Sequence, residues 1–285
     1  MGFVMTSHAA TATLNTALRD LGAWTAHFRA ADIPVLASTA ETLEALRANE
    51  DAVDANSLGE LIARDPLMTL KVLIYASTHR PSRVVTDIET VTSALVMMGI
   101  SPFFRAFGPQ ATVEEHFADR PDALAGLQEV LQRAHLGASF ALGFAAHRMD
   151  HDAAVIHLAA LLHDFAEMLL WCHAPALALR IRAQQQGDPT LRSSAAQLAV
   201  LNIDLADLQQ SLMKAWRLPE LLIHISDDRH ADNPSVHNVL LAVRLARHTA
   251  HGWDNAALPD DVSDIATLLN LSPNAALQLV RDIAE

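Results

Sequence analysis

The chain has 285 residues, 51% of them hydrophobic, enough apolar material for one large core or two smaller ones. Thirty-three acidic residues face 20 basic ones for a formal charge of -13, and Lys71 and Lys214 are the only lysines. This balance argues against a broad nucleic-acid or anionic-membrane surface, which needs concentrated positive charge, while leaving room for a local arginine patch on a phosphate. A single cysteine, Cys172, excludes an internal disulfide and every cysteine-rich zinc module, and suits a reducing compartment.

The opening, MGFVMTSHAATATLNTAL, has neither the basic n-region nor the continuous apolar core of a signal peptide. Apolar runs such as AVIHLAALL end at His163 and Asp164, short of the about 20 residues that cross hydrocarbon. No GxGxxG or GxxxxGK[ST] string offers a phosphate-cradling loop. The expectation is a soluble cytoplasmic protein, with neither membrane nor nucleic acid as a partner.

Alanine and leucine dominate, and apolar residues recur at spacings of three and four, which predicts an all-α fold. In chain order, Asn56–Ser57 precede LGELIARD, and Asp65–Pro66 open LMTLKVLIYAS with Asp65 as the cap. Asp87 precedes IETVTSALVMMG, Gly99 stops it, and Ser101–Pro102 caps a short helix. Turn signals cluster over 100–121 and predict a soft division between two lobes, with Phe103, Phe104 and Phe107 covering the junction. One long helix is predicted from Pro121 to Met149 and a second from Asp150 to about Trp171. Pro175 opens the next, and Gly187–Asp188–Pro189 breaks it. Further helices are predicted over 190–201, 204–217, 219–227, 235–251, 260–269 and 273–284.

Fifteen histidines raise the question of metal chemistry, and most are scattered. His147 and His151 fall on either side of an expected turn, His173 sits near a helix end, and Glu114 and Glu115 beside His116 read as a charged surface helix. Trp216 and Leu218 read as core contacts. Two histidines stand apart. His135 lies on the stripe Leu127, Leu131, His135, Ala138, Leu142, and His163 follows Ile156, Ala159 and Ala160 with Asp164 beside it. Adjacent helical side chains point about 100° apart, so His163 and Asp164 reach one ion only with a third ligand from a packed helix. Such a nitrogen–oxygen set suits a divalent metal that activates water against a phosphoester. The plainer alternative is a core histidine whose neighbouring aspartate bonds the imidazole, caps a helix or pairs with arginine.

AAVIHLAALLHDFAEMLLW resembles the LLHDIGK-type segment of the HD superfamily, and with His135 upstream the chain resembles the HDOD family of HD-related output domains. IPVLASTAETLEALRANED, LGELIARDPLMTLKVLIYAS, IETVTSALVMMG and LNIDLADLQQSLMKAWRLPELLIHI are similar to that family's stretches in the same order. The resemblance spans roughly 30–255. It implies a multi-helix two-lobed body: an N-terminal helix over 1–30, an N-terminal lobe over 31–110, an HD-like lobe over 111–255 and a helical extension over 256–285. It also implies His135, His163 and Asp164 as the first metal ligands of an HD site.

The last ligand falls in LLAVRLARH at Val243, which cannot bind metal. The glycine and lysine of LLHDIGK become Ala166 and Glu167, and the usual histidine pair is reduced to the surroundings of Asp228, Arg229 and His230. Phosphoryl chemistry needs positive charge at the transferring group. No lysine is near, and Arg133, Arg148, Arg229 and Arg244 read as surface or salt-bridge residues. The resemblance therefore implies a non-catalytic signalling or regulatory protein that binds an unidentified signalling protein or a small ligand, such as a nucleotide or other phosphate-bearing molecule. No cofactor is expected beyond a possible divalent metal at the degenerate site. The alternatives are a metal-dependent phosphohydrolase acting on a nucleotide or cyclic nucleotide, and a ligand-free oligomeric scaffold.

Overall fold

The alanine- and leucine-rich pattern becomes helix throughout the residues described, 13–79, 88–188 and 190–285 of this computed structural model. Among them the β structure is one isolated parallel bridge, Val35 to Thr112. The first helices are α1 (Leu21–Ala30), α2 (Ala37–Arg47), α3 (Ala55–Ile62), α4 (Pro66–Thr78), α5 (Val91–Met98), α6 (Ile100–Ala106) and α7 (Val113–His116). The long α8 (Pro121–Arg148) follows, then α9 (Ala153–Leu161), α10 (Phe165–His173), α11 (Pro175–Gly187), α12 (Ser193–Leu201) and α13 (Leu205–Ala215). The chain closes with α14 (Glu220–Ile225), α15 (Pro234–Thr249), α16 (Leu258–Leu269) and α17 (Pro273–Ala284).

Among the described residues two hydrophobic cores form, and α4 is the wall between them. Leu67, Leu70 and Leu73 enter the larger core, while Met68, Val72 and Ala76 enter the smaller one. A helix apolar on both faces is buried on both, which explains why LMTLKVLIYAS shows no single stripe. Phe103, Phe104 and Phe107 belong to the smaller core, with Val35, Leu43 and Leu58. The junction role expected for them is corrected: they fill the N-terminal lobe itself, and the junction is made by α4. At the N-terminal end, α1 sends Trp24 and Phe28 into the larger core, and Trp24 Nε1 donates to the Leu201 carbonyl at 3.0 Å. Ile265 of α16 and Val280 of α17 enter that core as well.

Several helix boundaries differ from expectation for local reasons. The α3 cap is Asp54, which accepts from Asn56 N and Ser57 N, so Asn56 and Ser57 lie in the first turn. Gly99, at φ 84°, ends α5 and starts α6, a left-handed conformation that glycine adopts without strain. Ser101–Pro102 therefore lie inside α6. Asp87 and Pro189 fall outside the described residues, and α5 opens on a Thr90–Ser93 capping box.

The second long helix is broken. α9 stops at Leu161 and α10 begins at Phe165, so the His163–Asp164 pair sits on a corner. The stretch Ala153–His173 is long and apolar enough to cross a membrane by length and composition, and most of it is buried inside the protein. It makes the centre of the larger core.

α8 ends on Met149, which is left-handed at φ 57° and 84% exposed. A side chain there costs about 1 kcal/mol that glycine avoids. Met149→Gly is expected to stabilise the protein by about 0.5 kcal/mol net of the added freedom of the unfolded chain. Urea unfolding measures this, and a lower midpoint for the variant would refute it.

Candidate functional site

The corner between α9 and α10 presents two functional side chains to a cavity of about 870 Å³. His163 Nδ1 lies 3.1 Å from Asp164 Oδ1, and His163 Nε2 lies 3.1 Å from Asp228 Oδ1 on the turn after α14. Burial works against a charge on this imidazole, but the bonds to the two carboxylates outweigh it and raise its pKa to about 10. It is therefore an imidazolium at neutral pH, and both nitrogens donate.

Asp164 precedes α10 without capping it. Its Oδ2 lies 3.8 Å from Arg133 Nη2 on α8, and its Oδ1 lies 3.7 Å from Arg247 Nη2 on α15. Burial opposes its charge, but the His163 bond and the nearby Arg247, His163 and Arg133 charges hold the carboxyl well below the usual range. Arg133 also reaches Glu167 Oε2 at 3.0 Å. Where LLHDIGK places a lysine, the glutamate thus binds an arginine from the neighbouring helix.

His135 goes elsewhere. Residues 126, 129 and 133 put one face of α8 on the cavity, and position 135 falls on another. His135 faces the Arg64 carbonyl and the Asp65 carboxylate at the α3–α4 turn; burial lowers its pKa, and these two neighbours oppose that shift. Its stripe also ends at solvent, with Leu142 43% exposed. The structure brings His163 and Asp164 together, adds Asp228, and leaves His135 at the boundary between the lobes.

These residues do not fit a divalent metal. Both nitrogens of His163 are committed to carboxylates, Asp164 lies between guanidinium groups, and Val243 packs against Gly137. Among the described residues no group of three or more His, Cys, Asp or Glu side chains is arranged to hold an ion.

The remaining arginines are largely spoken for. Arg244 binds Asp261 and Asp264, Arg148 binds Asp150, Arg229 binds Asp227, and Arg182 binds Glu129. Cys172 is fully buried, and burial with the nearby Asp65 charge pushes its thiol up to about 12. His173 is buried against Phe28, His27 and His116, and burial first, then the two histidines, lower its pKa to about 4. Glu114 accepts from Ala37 N and so serves the start of α2, while His116 Nε2 meets the Cys172 carbonyl at 2.6 Å.

The family model described as HDOD domain matches residues 33–231. The chain belongs to the HDOD family. Solved structures agree in fold. The MmoQ response regulator of Methylococcus capsulatus str. Bath superposes with a TM-score of 0.65 at 20% identity, covering 87% of this chain and 98% of the other. A virulence factor from Campylobacter jejuni subsp. jejuni superposes at 0.61 and 17% identity, covering 93% and 98%. No curated protein matches.

Within the HDOD lobe, Arg247 is the site residue that the sequence reading passed over. Its signal was present: it lies four residues after Val243, one turn along the same helix face.

Proposed function

We propose that this HDOD protein is a non-catalytic regulator that acts by binding, in signalling, and that its small-ligand site is the cavity above His163 and Asp164. One observation carries the reading: about 870 Å³ of space opens on an ionic network whose histidine has no free nitrogen and whose aspartate is already paired with arginine. That volume is in the range of small-molecule sites. Arg192 lines it outside the ion pairs described above, and Arg133, Arg182, Arg229 and Arg247 would turn from their carboxylate partners toward a phosphate-bearing ligand such as a nucleotide. The description of MmoQ as a response regulator supports the signalling context. The other binding partner in this proposal is a signalling protein, reached from the cytoplasm without nucleic acid or membrane.

The test is hydrolysis of bis-p-nitrophenyl phosphate and of a nucleoside triphosphate panel, with Mn2+ or Mg2+ added. The expected result is no turnover above that of the buffer with metal alone. Metal-dependent turnover abolished by His163→Ala or Asp164→Ala would overturn the proposal in favour of a phosphohydrolase.

A further inference from the structure

A buried carboxylate requires a paired charge or hydrogen bonds, and this chain supplies positive charge to Asp164 from two helices packed on each other, α8 and α15. α15 is pressed onto α8 at Val243: a Cβ added to Gly137 would lie 3.6 Å from both Val243 Cα and Cγ2. One turn later on the same face, Arg247 reaches Asp164 Oδ1 at 3.7 Å. Arg133 approaches the other oxygen at 3.8 Å while holding Glu167 at 3.0 Å. The side chain of Asp164 is 14% exposed and that of Arg133 20%, so this pair acts largely through protein, while Arg247, 49% exposed, reaches the carboxylate from the solvent side. Two guanidinium groups, Arg133 and Arg247, thus meet the carboxylates of Asp164 and Glu167, and the His163 ring bridges Asp164 to Asp228.

We propose that Arg247, together with Arg133, takes the electrostatic place of a divalent cation at this corner, so that the Asp164 carboxylate is paired without a metal ion. Two guanidinium groups carry the charge of one divalent ion, and they reach the carboxylate from α15 and α8. The substitution links two departures that otherwise look independent. A valine at position 243 removes a carboxylate, and an arginine at position 247 adds the cation that this loss of a metal ligand would leave missing. The same arrangement pins four elements to one another: the α9–α10 corner, the turn carrying Asp228, α8 and α15. The ionic network is therefore also the latch that fixes one end of the cavity.

The proposal rests on the reading of this site as non-catalytic but is decided by Mn2+ alone, so a silent hydrolysis assay cannot stand in for it. The full chain is dialysed against Mn2+, its retained metal is measured, and thermal unfolding is followed with and without the ion. Wild type is expected to retain well under one equivalent and to unfold at the same temperature in both buffers. Arg247→Met keeps length and removes charge; its midpoint is expected to fall by about 1–2 °C, and Arg247→Lys is expected to recover most of that loss. Val243→Asp with Arg247→Met exchanges the side-chain cation for a carboxylate and is expected to take up about one equivalent of Mn2+. One equivalent bound by wild type and lost in His163→Ala would overturn the proposal. An unchanged midpoint for Arg247→Met, or a folded double variant that takes up no Mn2+, would do so too. If the double variant does not fold, the wild-type retention and the Arg247→Met midpoint decide.

Discussion

Replacing Asp65 by alanine is expected to destabilise the protein by about 4 kcal/mol and to lower its melting midpoint by roughly 10 °C. Asp65 is fully buried, yet its role is to join backbone segments. Oδ1 accepts from Leu67 N at 2.9 Å and Met68 N at 3.1 Å, capping α4. Oδ2 accepts from Leu36 N at 2.8 Å, at the start of α2 and next to the Val35–Thr112 bridge, and Thr39 adds a side-chain bond. Alanine would strand these donors where water does not reach them. Each unsatisfied buried donor costs about 1–3 kcal/mol, although relaxation recovers part of the sum. Asp65→Asn separates the contributions. Its carbonyl can still cap α4, but its amide group would meet the Leu36 N–H donor to donor, so about half the loss is expected. Chemical denaturation with far-UV circular dichroism measures both variants. A loss below about 1 kcal/mol for alanine would show that the two helix starts do not depend on this carboxylate.

Asp65 also shows what is legible in the sequence and what is not. The Asp–Pro pair before an apolar run announces a helix start, and the α4 cap is read correctly from it. The bond to Leu36 spans 29 residues and no local pattern encodes it. The same division runs through the rest of the chain. Pro121, Pro175, Ser272 and the three-and-four spacing place α8, α11 and α17, because caps and periodicity are local physics. The break between α9 and α10 is hidden, because AAVIHLAALLHDFAEMLLW contains neither proline nor glycine and its polar pair His163–Asp164 fits a continuous helix as well as a corner.

At the site, the dipeptide His163–Asp164 was legible, and the reading of its alternatives anticipated the chemistry: the aspartate bonds the imidazole and pairs with arginine. His135 was misplaced for a simple reason. Residues 133 and 135 are two apart on α8 and so point to nearly opposite faces. The position that meets Asp164 carries Arg133, while the histidine meets the α3–α4 turn. A family pattern gives order along the chain; a two-residue offset on a helix changes which neighbour receives the side chain.

The cavity wall opposite that corner sets the second large effect. Gly126 lies in the middle of a buried face of α8, where alanine would ordinarily stabilise a helix by about 1 kcal/mol. Here the expected sign is reversed. A Cβ at Gly126 would lie 2.3 Å from Trp171 Cη2 and 2.6 Å from Cζ2 and Cζ3, inside any tolerable contact. The indole is 4% exposed, so the core atoms around it leave the ring little room to swing aside, even though no hydrogen bond tethers Nε1. Overpacking of this kind costs about 1–3 kcal/mol or more, and Gly126→Ala is expected to lose about 2 kcal/mol net, roughly 5 °C in the melting midpoint. Because Gly126 and Trp171 both line the cavity, the tryptophan emission should shift in the same variant. The cause is testable by relief: Trp171→Leu shortens the ring that the new methyl would strike. In a double-mutant cycle the two substitutions together should then cost at least about 1 kcal/mol less than the sum of the single losses. Additive losses would mean that the methyl group is accommodated elsewhere and that the indole does not define this wall of the ligand cavity. A favourable coupling would locate the stability cost and the shape of the cavity in the same pair of side chains.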